Sequence, residues 1–177
     1  TGDDVLEGGA GSDTYRYELG SGRDVINEYD NDGNDVLEFD ASISPNDVTI
    51  RWTKQGDMLV SLPRGGQVTV RGQVSRWSDL TGVEQLRFAD GTTWGRAELA
   101  SRALEATVGD DSIVGGYEDD TLDGGAGNDL FQNLGGYDIY NFGIGDGHDV
   151  IAATRGVLRF KPGINQNDVG FALDGED

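Results

Sequence analysis

Between residues 111 and 140 an aspartate followed two places later by a large apolar residue recurs every nine residues: Asp111/Ile113, Asp120/Leu122, Asp129/Phe131 and Asp138/Tyr140. A further pair, Asp149/Ile151, follows after a step of eleven. The same pairing runs near the N-terminus as Asp4/Leu6, Asp13/Tyr15, Asp24/Ile26 and Asp35/Leu37, spaced nine, eleven and eleven. So short a period restricts the chain to a stacked repeat, because one unit cannot bury its apolar residue alone. Glycines precede the aspartates, most completely in Gly124-Gly125-Ala126-Gly127-Asn128-Asp129-Leu130-Phe131-Gln132. Each unit therefore reads as a glycine turn followed by a three-residue strand with its central side chain inward. Two turns and two strands make one coil of about 18 residues, so alternate turns are expected to stack on the same edge.

The turns have the chemistry of a hard cation site. Glycine lets successive carbonyls converge on one point, and each aspartate adds a carboxylate. Calcium accepts six to eight such oxygens in loose geometry. Stacking predicts calcium between the turns of Asp111 and Asp129, Asp120 and Asp138, Asp4 and Asp24, Asp13 and Asp35, and Asp129 and Asp149, roughly four to six ions in all. An EF-hand is the competing motif, since Asp119-Asp120-Thr121-Leu122-Asp123-Gly124 opens like one, but Leu130 stands where its bidentate glutamate would be.

Charge follows the repeats. The acidic residues are 24 Asp and 9 Glu, as expected where a short carboxylate must fit a turn. Residues 1–42 carry net −10, residues 43–105 net +1 and residues 106–177 net −11. Without a cation such segments repel themselves and have thin apolar strips to bury, which favours disorder. The absence of cysteine excludes disulfides and thiolate metal sites, and a single histidine excludes multi-histidine zinc. There is no apolar run of membrane-spanning length, and the negative charge argues against nucleic acid as a partner. His148 has no nucleophile or orienting group indicated beside it, so it reads as an exposed turn residue; no catalytic set stands out among the acids.

The near-neutral middle differs. Val48–Trp52, Met58–Leu62, Gln67–Arg71 and Gln85–Phe88 alternate like strands, Asp90-Gly91 marks a hairpin into Thr92-Thr93-Trp94, and Arg96 to Ala106 has helical spacing. Trp52, Trp77 and Trp94 supply bulk to close the end of a roll, with sugar stacking as their alternative role. Val36-Leu37-Glu38-Phe39, Ile43 and Asn46-Asp47-Val48 recur 121 residues later as Val157-Leu158-Arg159-Phe160, Ile164 and Asn167-Asp168-Val169. The chain is thus expected to open partway through one roll and to reach Asp177 partway into a second cap. The expected layout is a first roll at 1–42, a β-rich cap with a helix at 43–106, a second roll at 107–152 and the start of another cap at 153–177.

The nonapeptides, together with Gly20-Ser21-Gly22-Arg23-Asp24-Val25-Ile26, Ile43-Ser44-Pro45-Asn46-Asp47-Val48 and Phe88-Ala89-Asp90-Gly91-Thr92-Thr93-Trp94, resemble RTX proteins that carry the haemolysin-type calcium-binding related domain. The resemblance implies an all-β fold of tandem parallel β-rolls with a small cap containing one short helix. It further implies calcium-induced folding outside the cell after export through type I secretion machinery, and no catalysis. The metal residues it points to are Asp4, Asp13, Asp24, Asp30, Asp32, Asp35, Asp111, Asp119, Asp120, Asp129, Asp138 and Asp149. With them go turn residues Gly8, Gly9, Ala10, Gly11, Ser12, Gly22, Gly33, Gly109, Gly115, Gly116, Tyr117, Gly124, Gly125, Ala126, Gly127, Asn128, Gly136 and Gly147. Glu118 departs from the pattern, standing where the fourth-position glycine belongs. Two other readings stay open: an adhesion module gripping a glycan or surface ligand, and an accessory repeat module of an extracellular protease, lipase or epimerase.

Overall fold

The computed structural model describes residues 1–28, 33–74 and 82–172. The first four repeats form strands β1 (Val5–Glu7), β2 (Thr14–Tyr17), β3 (Arg23–Asn27) and β4 (Val36–Phe39). Odd and even strands build opposite walls: β1 pairs in parallel with β3, Leu6 opposite Ile26, and β2 with β4, Tyr15 opposite Leu37. The residue two after each aspartate therefore lies inside, and Tyr15, Ile26 and Leu37 are buried. A strand set of this kind cannot bury one wall without the other, so every coil leans on its neighbours.

Both walls run without a break into the middle segment. Here β5 (Thr49–Trp52), β6 (Met58–Ser61), β7 (Gln67–Arg71), β8 (Gln85–Arg87) and β9 (Thr93–Gly95) precede helix α1 (Arg96–Ala103). Strand β7 continues the first wall in parallel, Val70 opposite Ile26, and β8 continues the second, Leu86 opposite Leu37. Beyond them the direction reverses, with β6 and β5 antiparallel on one wall and β9 antiparallel on the other. One core therefore spans roll and middle segment, from Tyr15 and Ile26 through Phe39, Met58 and Leu86 to Trp94 and Leu99. Phe39 stacks on Phe88, Phe88 meets Trp94 edge to face, and Arg102 lies 3.8 Å over the Trp94 ring. Trp52 packs partly buried against this core, while Trp77 lies outside the described residues.

The helix expected over 96–106 closes at Ala103. It buries Leu99 and Ala103, but Leu104 and Ala106 pack against the core of the second roll, and further helix would lift them away from it. Arg51 reaches across to Asp111 at 3.7 Å.

The second roll repeats the first plan. Strands β10 (Ser112–Gly115), β12 (Leu130–Asn133) and β14 (Val150–Ala152) form one parallel wall; β11 (Thr121–Asp123), β13 (Asp138–Phe142) and β15 (Gly156–Phe160) form the other. Ile113, Phe131 and Ile151 align on the first, and Leu122, Tyr140 and Leu158 on the second. The buried core is small, Ile113, Leu122, Phe131 and Tyr140, and the ladders end with Ile151 and Leu158 at 38% and 46% exposure. The 121-residue repetition is visible in space. Short helical turns at Pro45–Asp47 and Gln166–Asp168 follow β4 and β15, each with the last aspartate accepting from a backbone N–H, that of Ser44 or of Asn165. Among the described residues no helix is long and apolar enough to cross a membrane.

Candidate metal centres

Each aspartate pair that spacing places on one edge is joined in the same way. The earlier aspartate's backbone N–H donates to Oδ1 of the later one: Asp4 to Asp24 at 2.7 Å, Asp13 to Asp35 at 2.8 Å, Asp111 to Asp129 at 2.8 Å, Asp120 to Asp138 at 3.0 Å and Asp129 to Asp149 at 3.0 Å. A second ladder runs the opposite way through the preceding residue. Side chains of Asp3, Ser12, Asp110, Asp119 and Asn128 accept from the N–H groups of Arg23, Asn34, Asn128, Tyr137 and His148. The side chains of Ser12, Asp119 and Asn128 thus hold the next turn. The first-roll edge ends on Glu84, which accepts from the Asp35 N–H at 2.5 Å and pairs with Arg96.

The fourth-position glycine has a steric reason. A Cβ on Gly127 would meet the Gly109 carbonyl oxygen at 2.6 Å, and Gly22, Gly33, Gly136 and Gly147 face the carbonyls of Gly2, Gly11, Glu118 and Gly127 in the same way. Glu118, which stands where the pattern has its fourth-position glycine, presents its own carbonyl to Gly136.

The carboxylates differ in what meets their second oxygen. Asp129 is 1% exposed, and its Oδ2 is buried with no hydrogen-bond partner among the described residues. That oxygen lies where a Cβ on Gly124 would stand. Asp13 Oδ2 is likewise buried without a hydrogen-bond partner among the described residues, 2.6 Å from the Cβ position of Gly8. Asp13, Glu28 and Asp35 bring carboxylate oxygens within 4.8 Å of one another, with the Tyr15 hydroxyl donating to Glu28. Glu28 was not legible as a ligand, since it lies outside the nonapeptide; its signal is that it follows Asp24 by four residues, as Gly8 follows Asp4. Elsewhere protein donors meet the second oxygen. Asp24 takes the Tyr17 hydroxyl, Asp138 takes Asn133 and Tyr140, Asp111 takes the N–H and hydroxyl of Thr107, and Asp120 takes the Gly116 N–H at 2.7 Å. Gly9, Ala10, Gly11, Gly115, Tyr117, Gly125 and Ala126 lie in these turns, whereas Asp30 and Asp32 fall outside the described residues. Lys161 pairs with Asp123 and Asp146 and so neutralises two acids outside the ladders.

Burial, and then the neighbouring carboxylates Asp149, Asp111 and Asp110, push the Asp129 carboxyl above its ordinary range, against the opposing N–H of Asp111. Asp120 is pushed up by burial and by Asp138, Glu118 and Asp119, against the Gly116 N–H. Burial and Asp138 raise the Tyr140 phenol to about 12, so it remains a donor. The residues fit a cation: two buried oxygens without donors, each beside a glycine cradle, amid gathered negative charge. A raised carboxyl in the folded state favours the metal-free fold below the unfolded value, and that contribution is lost as pH rises through the folded value. In chelator, acidification from pH 7 to about 4 is therefore expected to increase β-structure. At fixed calcium the same change is expected to release the ion, because protons compete for the same oxygens. Circular dichroism with a calcium-selective electrode checks both signs.

Comparison with known proteins agrees with this chemistry. Four copies of the RTX calcium-binding nonapeptide repeat match residues 1–26 and 105–140, and the haemolysin-type calcium binding protein related domain matches residues 60–98. No curated protein matches the chain. Among solved structures, the extracellular lipase LipA from Serratia marcescens aligns at 15% identity with a TM-score of 0.27, over 98% of this chain and 34% of that one. The chain therefore spans about a third of that lipase's length. With the nonapeptide turns stacked as parallel β-rolls and the related domain continuing their walls, the chain carries RTX repeats of the calcium-binding kind together with the haemolysin-type calcium binding protein related domain.

Proposed function

We propose that this chain is a calcium-responsive folding and stabilising module of a secreted bacterial RTX protein exported through a type I secretion system, with no chemistry of its own. The observation that carries the reading is Asp129: a carboxylate 1% exposed, with one oxygen lacking a hydrogen-bond partner among the described residues and facing a glycine cradle. A buried bare carboxylate oxygen is costly unless a cation or donor meets it. Extracellular calcium modules work at about 10⁻⁴ to 10⁻³ M; below that range the net charge of −20 keeps the repeats unfolded, and within it bound calcium offsets the charge and folds them. The proposed layout is roll at 1–42, cap at 43–106, roll at 107–152 and further cap from 153, with β15 of that last segment completing the second roll's wall.

Isothermal titration of two variants tests the reading. Asp129→Asn is expected to lower the calcium stoichiometry by at least one. Asp47→Asn, at the helical turn before β5, is expected to leave it unchanged. Equal losses from both would overturn the assignment of calcium to the turns.

A further inference from the structure

We propose that Tyr17 and Asn133 set calcium occupancy turn by turn: each places a protein donor on the carboxylate oxygen an ion would otherwise take, closing the Asp24 and Asp138 turns without calcium. The inference rests on the calcium reading above and adds which turns are exempt from it.

The residue four places after one aspartate faces the carboxylate of the next turn. At Gly8 and Gly124 this position has no side chain, and its Cβ direction points at Oδ2 of Asp13 and of Asp129. At Tyr17 and Asn133 the same position carries a donor. The Tyr17 hydroxyl donates to Asp24 Oδ2, and Asn133 Nδ2 donates to Asp138 Oδ2 at 2.8 Å. Asp138 is fully buried, its Oδ1 takes the Asp120 N–H at 3.0 Å, and the Tyr140 hydroxyl adds a further bond at 3.1 Å. A buried carboxylate needs donors or a cation, and here donors complete the set. The Asn133 amide is also held in orientation, because Nδ2 donates to the Gly135 carbonyl at 2.8 Å. That fixes N–H groups, not an oxygen, toward the place where an ion would sit, and N–H groups repel a cation.

Within each roll the bare oxygen and the oxygen held by Tyr17 or Asn133 lie on opposite edges. In the first roll the Asp4–Asp24 edge is closed by Tyr17, while the Asp13–Asp35 edge keeps the bare oxygen of Asp13. In the second roll the Asp120–Asp138 edge is closed by Asn133, while the Asp111–Asp129–Asp149 edge keeps that of Asp129. Each roll thus keeps one bare aspartate oxygen on one edge and a donor-held aspartate on the other, with Asp111, on the Asp129 edge, held by Thr107 as well.

The test is calcium stoichiometry of the full chain, measured by equilibrium dialysis and by native mass spectrometry with calcium alone. Asn133→Gly combined with Tyr140→Phe removes both donors from Asp138 Oδ2, recreates the cradle and is expected to bind one ion more than the wild type. Adding Asp138→Asn to that variant is expected to remove the gained ion, which places it at this turn. Asn133→Asp supplies a carboxylate of the same size and is also expected to gain one, so it decides the matter if the double variant does not fold. Unchanged stoichiometry in the folded Asn133 variants, in a chain whose wild type binds calcium, overturns the inference alone. A wild type that binds no calcium overturns the underlying reading as well.

Discussion

In excess chelator the chain is expected to lose most of its β-sheet circular dichroism, and calcium at about 0.1 to 1 mM is expected to restore it. The two repeat segments carry net −10 and −11, and the second roll has a packed core of four buried side chains to set against that repulsion. The first roll shares its core with β7, β8 and α1, so it retains more structure when the ion is removed. The second roll is therefore expected to melt first, with amides of β12 and β13 exchanging before those of β4 and β8 as calcium falls. Magnesium is expected to substitute poorly, since it demands a smaller octahedral shell and gives up water reluctantly. Identical spectra in chelator and in millimolar calcium would refute calcium-dependent folding.

Gly127→Ala is expected to cost about 2 kcal/mol or more, and Gly145→Ala about 1 kcal/mol. Both glycines have positive φ, +146° and +90°, so both variants carry backbone strain. Only Gly127 lies against a neighbour: its added Cβ would stand 2.6 Å from the Gly109 oxygen and 3.0 Å from Asp129 Oδ1, whereas nothing lies within 4 Å of the Cβ position of Gly145. The Gly127 carbonyl in turn faces Gly147, so the displacement passes to the next turn of the stack. At about 1.4 kcal/mol per tenfold, the extra loss of about 1 kcal/mol or more appears as roughly a fivefold or larger rise in the calcium midpoint for Gly127→Ala over Gly145→Ala. Equal midpoints for the two variants would mean that close stacking of the turns contributes nothing beyond backbone strain.

The sequence by itself determined the roll: which aspartates become neighbours, which apolar residues face inward, and that strands of alternate repeats pair in parallel. These follow from a short period, because in a solenoid each unit meets only the units beside it, and counting along the chain is then counting through space. The middle strands and the hairpin into Trp94 were legible from alternation and turn residues. What only the tertiary structure decided involves side chains whose partners the period does not specify. Glu28 joins Asp13 and Asp35 because it falls at the place of Gly8 in the next coil, which an eleven-residue step hides. That Tyr17 and Asn133 both point at the next carboxylate, one across a step of eleven and the other across a step of nine, is set by the folded turn and not by the spacing. The helix ends at Ala103 because Leu104 and Ala106 have a second core to fill, a contact with no local signature. Periodicity fixes neighbours along the stack; the chemistry at each turn is set by which side chain the folded backbone aims at the remaining carboxylate oxygen.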